Sequence, residues 1–322
     1  MASQTSARIM RSRMPMKSSA PTKIWDCLIV GGGPAGLTAA TYLRRFHRSV
    51  ALIDNGQSRA KWIPKTHNCP GFPAGVAGSA LLARLGEQAG QYGVTCIKAV
   101  ASRIEVGLDV FTITLPRRSL QAYTVILATG VEDTLPTLKV LSPKTAIERG
   151  LLRLCAICDG YEATDASIGV LGPPESALRH ACFLRGFSAR VSALTLKDGS
   201  RASQRSLQQA RELNIGVFEC EPTVRMTGNQ CRIVDLQGRV HRFDTVYAAL
   251  GTTSRCELAT AAGARQTASG ELFTDAHMQT SIPGLYAVGD VSSAINQISV
   301  AFGQAAIAAT AIHRQLATVA RS

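Results

Sequence analysis

Residues 25–36 read WDCLIVGGGPAG, an apolar, β-branched run that breaks into a glycine cluster and then a proline. A short continuous apolar run bounded by glycines predicts a strand buried on both faces over 24–30, as in parallel sheets. Residues 34–48 follow with helical spacing, Leu37, Ala40 and Leu43 falling on one face. Residues 49–54 form a second apolar run that ends in an acid. Strand, glycine turn, helix and strand together make a right-handed βαβ unit. Within it Gly31, Gly33 and Gly36 fit G-x-G-x-x-G. The first glycine permits the tight turn, the second lets the backbone approach a pyrophosphate, and the third lets helix and strand pack closely. Pro34 and Ala35 open the helix, whose N-terminal N–H groups would face that phosphate. Asp54, 18 residues beyond Gly36, stands where a carboxylate accepts from ribose hydroxyls.

The same architecture begins again at Ser167, with a strand over 168–171, a helix over 175–185 and a strand over 189–196. Further apolar strands stop at small turn residues at 123–130 and 245–251, and 282–290 leads into a final Ala-rich helix. The expected fold class is therefore α/β, with two Rossmann-like three-layer domains, the second inserted into the first. Residues 22–134 and 266–322 would form the first domain and 135–265 the insert. Residues 1–21 would be a basic, disordered tail.

The chain has 322 residues, room for two ordinary domains, and a formal net charge of +13. Five of the basic residues (Arg8, Arg11, Arg13, Lys17 and Lys23) fall in the first 23, which hold no acid. The rest has dispersed positives with few aromatics among them, and no nucleic-acid motif, so nucleic-acid binding is not expected. No apolar run reaches the ~18 residues of a membrane span. The N-terminal segment lacks the apolar stretch of a secretory signal, while an organelle-targeting role stays open. Nine cysteines, an odd number scattered without a framework, fit a reducing, cytoplasmic setting.

Residues 155–159 read CAICD. Two thiols at C-x-x-C spacing can close a small disulfide ring, and one of them commonly has a lowered pKa that makes it reactive near neutrality. A zinc site would need two further ligands; His180 and Cys182, the nearest candidates, share a helix that the strand pattern places elsewhere, so no metal is expected.

Taken together, these motifs resemble the low-molecular-weight thioredoxin reductase family of two-domain FAD/NAD(P)-binding disulfide oxidoreductases, over residues 24–318. GGGPAG matches its flavin-binding opening. The run Thr66-His67-Asn68-Cys69-Pro70-Gly71-Phe72 resembles its loop over the flavin, and Thr280 through Gly284, Ala287, Gly289 and Asp290 resembles its second FAD fingerprint. Asn296-Gln297 stands where the family usually has Arg-Gln near the isoalloxazine. The resemblance implies non-covalent FAD in the first domain, touching Asn68, Asp290 and Gln297, with Thr129 and Gly130 ending a strand at the cofactor cleft. It implies that Cys158 receives electrons from the flavin, that Cys155 attacks the partner disulfide, and that Asp159 protonates the leaving thiolate. The implied enzyme passes electrons through FAD to the Cys155–Cys158 pair and on to thioredoxin or another disulfide, as a homodimer, its insert rotating about hinges near Pro136 and Gly263 so that the dithiol faces flavin and partner in turn.

The resemblance thins at the NADPH site. The family's Gly-rich turn is replaced by Gly172-Pro173-Pro174-Glu175-Ser176-Ala177, and its arginine-rich 2′-phosphate motif by a segment keeping only Lys197 and Arg201 as cations. Two prolines remove two backbone N–H donors. Gly172, Ser176, Lys197 and Arg201 are the residues left to hold NADPH. Three other readings stand beside the reductase: an oxygen-using dithiol oxidase, since Asp159-Gly160-Tyr161-Glu162 shares all but a histidine with related fungal flavoenzymes; a reductase fed by another donor; and a non-catalytic flavoprotein scaffold.

Overall fold

Strand β1 (Ile24–Val30), the predicted opening element, is the third strand in the path of the larger sheet. The structure is a computed structural model and describes residues 23–293 and 295–316, so the expected tail lies outside the described residues. After β1 come α1 (Pro34–Arg45), β2 (Val50–Asp54), α2 (Gly78–Gln91), β3 (Thr95–Lys98), β4 (Arg103–Val106), β5 (Phe111–Leu115) and β6 (Arg118–Leu127). Then follow β7 (Val131–Asp133), β8 (Thr137–Lys139), α3 (Pro143–Glu148), β9 (Leu152–Arg153), α4 (Ala156–Asp159) and β10 (Ile168–Gly172). Next are α5 (Pro174–Leu184), β11 (Val191–Leu196), α6 (Gln204–Glu212), β12 (Gly216–Cys220), β13 (Thr223–Thr227), β14 (Gln230–Val234) and β15 (Val240–Phe243). The chain closes with β16 (Thr245–Ala248), β17 (Thr252–Ser254), α7 (Glu257–Ala261), β18 (Leu285–Ala287) and α8 (Ile298–Gln315).

The first sheet runs β3-β2-β1-β6-β5-β4, with β18 added on β6. β1 lies parallel to β2 and β6, and β18 is parallel to β6, so the ends of these strands come level: Val30 faces both Ile53 and Leu127. Strand alternation divides β1 between two cores. Cys27 and Ile29 pack with α1 and α8, while Leu28 and Val30 join the opposite layer with Phe111, Ile113 and Leu285. Helix α1 stops before the expected residue 48 because His47 takes φ 60° and Arg48 N–H returns to the Leu43 carbonyl, turning the chain into β2.

The insert repeats the plan with a parallel sheet β12-β11-β10-β16-β9, and it adds a sheet β15-β14-β13-β8 that the apolar pattern did not announce. β7 and β17 pair antiparallel as a two-stranded ribbon where the chain leaves and re-enters the first domain. Beyond it, Cys256, Ala259 and Ala264 pack in the first domain's core beside Leu272 and Val291. Cys256, Ala259 and Ala264, which fall within the expected 135–265 insert, therefore share a core with residues of the first domain. We place the second crossing at 252–254.

Candidate functional site

The level ends of β1, β2, β6 and β18 open on a cavity of about 640 Å3 whose far wall belongs to the insert. Its floor is the glycine turn. Gly31 has φ +108°, and a Cβ there would lie 2.2 Å from the Ala128 carbonyl oxygen. At Gly36 a Cβ would come within 1.9 Å of the Gly31 carbonyl oxygen, so this glycine serves helix–strand packing and does not itself line the cavity. Gly33 caps α1 and, with Pro34 and Ala35, faces the cavity. The Asp54 carboxylate accepts from Gly32 N–H at 2.9 Å and Gly56 N–H at 3.1 Å, which ties the acid to the turn.

Asn68, Thr129, Gly130, Gly289, Asp290, Asn296 and Gln297 line the same cavity, although 68 and 297 are far apart in sequence. Gly130 and Gly289 take φ 68° and 78°, turning the chain sharply at strand ends. Asp290 lies 3.4 Å from the Arg59 guanidinium, which forks onto both oxygens of Asp133 at 2.7 Å. Burial pushes the Asp290 carboxyl above its ordinary value, and Arg59 opposes that. Asn296, at φ 51°, has a buried side-chain oxygen without a partner. An open glycine turn for a pyrophosphate, with two carboxylates placed for ribose and ribityl hydroxyls, is a donor and acceptor set that fits FAD.

The dithiol closes the far end. Cys155 and Cys158 form a disulfide with Cα atoms 5.3 Å apart, and both line the cavity. Cys155 is the N-cap of α4, its sulfur accepting from Cys158 N–H at 3.1 Å. From the first domain, Gln297 Nε2 reaches Cys155 Sγ at 3.6 Å and Cys158 Sγ at 3.4 Å. Asp159 is held from the insert: Arg153 Nη1 lies 3.0 Å from Oδ2, and Tyr247 O–H donates to the Asp159 carbonyl at 3.0 Å. Burial pushes the Asp159 carboxyl up, and Arg153 pulls it back. Its Oδ1 is buried with no partner, as is Arg153 Nε. A carboxyl so placed can carry a proton at Oδ1 while the guanidinium fixes Oδ2.

The remaining expected residues do not join this cavity. A Cβ on Gly172 would meet the Ala249 carbonyl oxygen at 2.3 Å, and Ser176 Oγ donates to that same oxygen at 2.8 Å. Pro173 and Pro174 form the N-cap and first turn of α5. Glu175 turns away to accept from Ser203 N–H and Ser206 Oγ, each at 2.7 Å, bracing the start of α6. Lys197 and Arg201 stand exposed beyond β11. Among the described residues no group of three or more His, Cys, Asp or Glu gathers as a metal site, and no helix is long and apolar enough to cross a membrane. Sequence reasoning missed Arg59, Asp133 and Arg153. Only Arg153, two residues before the dithiol, offered a positional signal.

Known proteins resemble this chain over most of its length. A thioredoxin reductase of Mycoplasma pneumoniae is 29% identical over 315 residues, spanning 93% of this chain and 98% of that protein. One from Bacillus subtilis is 27% identical, spanning 90% and 94%. The crystal structure of thioredoxin reductase from Streptococcus pyogenes superposes with a TM-score of 0.80 at 28% identity, covering 90% of this chain and 97% of that one. The family model described as pyridine nucleotide-disulphide oxidoreductase matches residues 25–305. With that match over most of its length, the chain belongs to the pyridine nucleotide-disulphide oxidoreductase family.

Proposed function

We propose that the protein is an FAD-dependent disulfide oxidoreductase of the thioredoxin reductase kind, delivering two electrons through Cys155–Cys158 to the disulfide of a thioredoxin-like protein or a small molecule. One observation carries this: the disulfide shares a cavity with the glycine turn, Asp54 and Asp290. Bound FAD would supply two-electron transfer at that point. The chain's own residues do the rest. The reduced pair attacks a partner disulfide through one sulfur, and the other sulfur then closes the ring and expels the partner as a second thiol. Asp159, with Oδ1 free and Oδ2 held by Arg153, is the group to protonate the departing thiolate. Ile157 and Tyr161, 54% and 79% exposed beside the dithiol, offer an apolar edge to a protein partner. The seven remaining cysteines are free thiols, which supports a cytoplasmic setting, and a two-fold dimer is the expected assembly.

The test is a Cys158→Ser protein purified alongside the unmodified one. It should keep its yellow cofactor and lose disulfide turnover; full turnover in the variant would refute the electron path. A second reading is favoured by the start of α5, where two prolines and a braced Glu175 leave few donors for a nicotinamide dinucleotide. It runs the dithiol in reverse, oxidising a small dithiol at the expense of oxygen. Oxygen uptake with a dithiol and no nicotinamide would select it.

A further inference from the structure

Among the described residues, the two sulfurs meet one polar side chain from the first domain, and its orientation follows from simple chemistry. Gln297 Nε2 lies 3.3 Å from the Ile295 carbonyl, which can only accept, so the nitrogen must face that side. One amide hydrogen goes to Ile295 and the other remains for the sulfurs at 3.4 and 3.6 Å. The amide oxygen then accepts from Asn68 Nδ2 at 3.0 Å. Asn68 in turn presents its oxygen to Thr66 Oγ1, a donor at 2.7 Å, and Thr66 is anchored by backbone bonds to Val76 in both directions. The chain Thr66, Asn68, Gln297 therefore fixes an N–H on the dithiol from outside the domain that carries it.

We propose that Gln297 is a catalytic residue that stabilises the anionic sulfur of the reduced pair, Cys158 foremost, as an amide donor stabilises an oxyanion. The neutral disulfide gains little from this N–H, whereas the thiolate left when the S–S bond opens gains a charge-assisted bond. In the exchange step the attacking sulfur bonds to one partner sulfur and the other partner sulfur leaves with its electron pair, protonated by Asp159. The sulfur of the pair still free is anionic until it closes the ring and expels the second partner thiolate. Partner disulfide is reduced and dithiol oxidised, two electrons for two. While the pair faces this cavity, Gln297 holds Cys158 Sγ as a thiolate once the S–S bond has opened. The relay reaches the sulfurs only while the two domains meet here, so the stabilisation is confined to this arrangement of the cavity.

This rests on the dithiol being the redox centre, and its test is separate from that reading. The full-length protein is reduced with a phosphine, freed of reductant, and its thiolate ultraviolet absorbance is titrated with pH, with no electron donor and no substrate. Gln297→Leu, which keeps the volume and removes the donor, should raise the pH of thiolate formation by about one unit, a tenfold loss of thiolate below it. Gln297→Glu should raise it further. Asn68 is exposed, and Asn68→Ala, which leaves the glutamine amide free to rotate, should give a smaller rise in the same direction. Superimposable titrations of the unmodified, Gln297→Leu and Asn68→Ala proteins would overturn the proposal. Should the leucine variant not fold, Asn68→Ala alone decides. Loss of turnover in Cys158→Ser bears on the redox centre and leaves this titration untouched.

Discussion

NADPH should be a poor donor for this chain, and the start of α5 sets the size of the effect. Pro173 and Pro174 fill the N-cap and first helical positions, where a dinucleotide pyrophosphate would seek N–H groups, and neither has one. The Ser176 hydroxyl is taken by the Ala249 carbonyl, and Glu175 adds a carboxylate braced by Ser203 and Ser206. Two missing hydrogen bonds to a charged ligand, at about 1.5–3 kcal/mol each, amount to about 3–6 kcal/mol, or roughly two to four powers of ten in affinity. Pro173→Gly and Pro174→Gly together, with Leu196→Arg to restore a cation beside Lys197, should recover a large part of that. Anaerobic stopped-flow mixing with NADPH, following flavin bleaching against NADPH concentration, reads it directly. Rapid, saturable bleaching of the unmodified protein at micromolar NADPH would refute the reasoning.

Two other outcomes follow from the charges around the cavity. Replacing Arg153 by Leu removes the cation opposing burial at Asp159, so that carboxyl should titrate at still higher pH and the descending limb of turnover should move up. The sign for stability agrees: a carboxyl whose folded pKa is raised stabilises most below its unfolded pKa and loses this as pH rises through the folded value. The melting temperature of Arg153→Leu should therefore fall more steeply than the parent's above the ordinary carboxylate range, and parallel curves would contradict it. Arg59→Met should cost about 1.5–3 kcal/mol in denaturant unfolding, since it leaves the Asp133 and Asp290 carboxylates without their shared guanidinium. A midpoint unchanged from the parent would show that water replaces the fork.

The opening βαβ unit was legible because each glycine answers a backbone demand: the turn at Gly31 and the carbonyl contact at Gly36 leave no room for a side chain. The dithiol was legible from spacing alone, and Asp54 from its place at the end of a strand. Arg59 and Asp133 were not, since a charge pair 74 residues apart leaves no periodic mark. Nor was the β13–β15 sheet, where exposed Arg225, Arg232 and Arg242 alternate with buried Met226, Cys231 and Phe243 over strands of only four or five residues. Gln297 was expected near the flavin; that its amide also meets the sulfurs depends on Ile295 and Asn68 fixing its direction.

The ribbon formed by β7 and β17 has a consequence for how the polypeptide is made. Because the outgoing and returning strands lie side by side, with Thr134 N–H bonded to the Gly251 carbonyl, everything between them is a closed excursion whose two ends already touch. The larger sheet is finished only when β18, which follows the excursion in sequence, pairs with β6. The strands of the insert are all in hand by then, while residues 125–127 of β6, beyond the part that β5 covers, still lack their second neighbour. Until β18 arrives, the 125–127 end of β6 is open to pairing with a strand of another molecule.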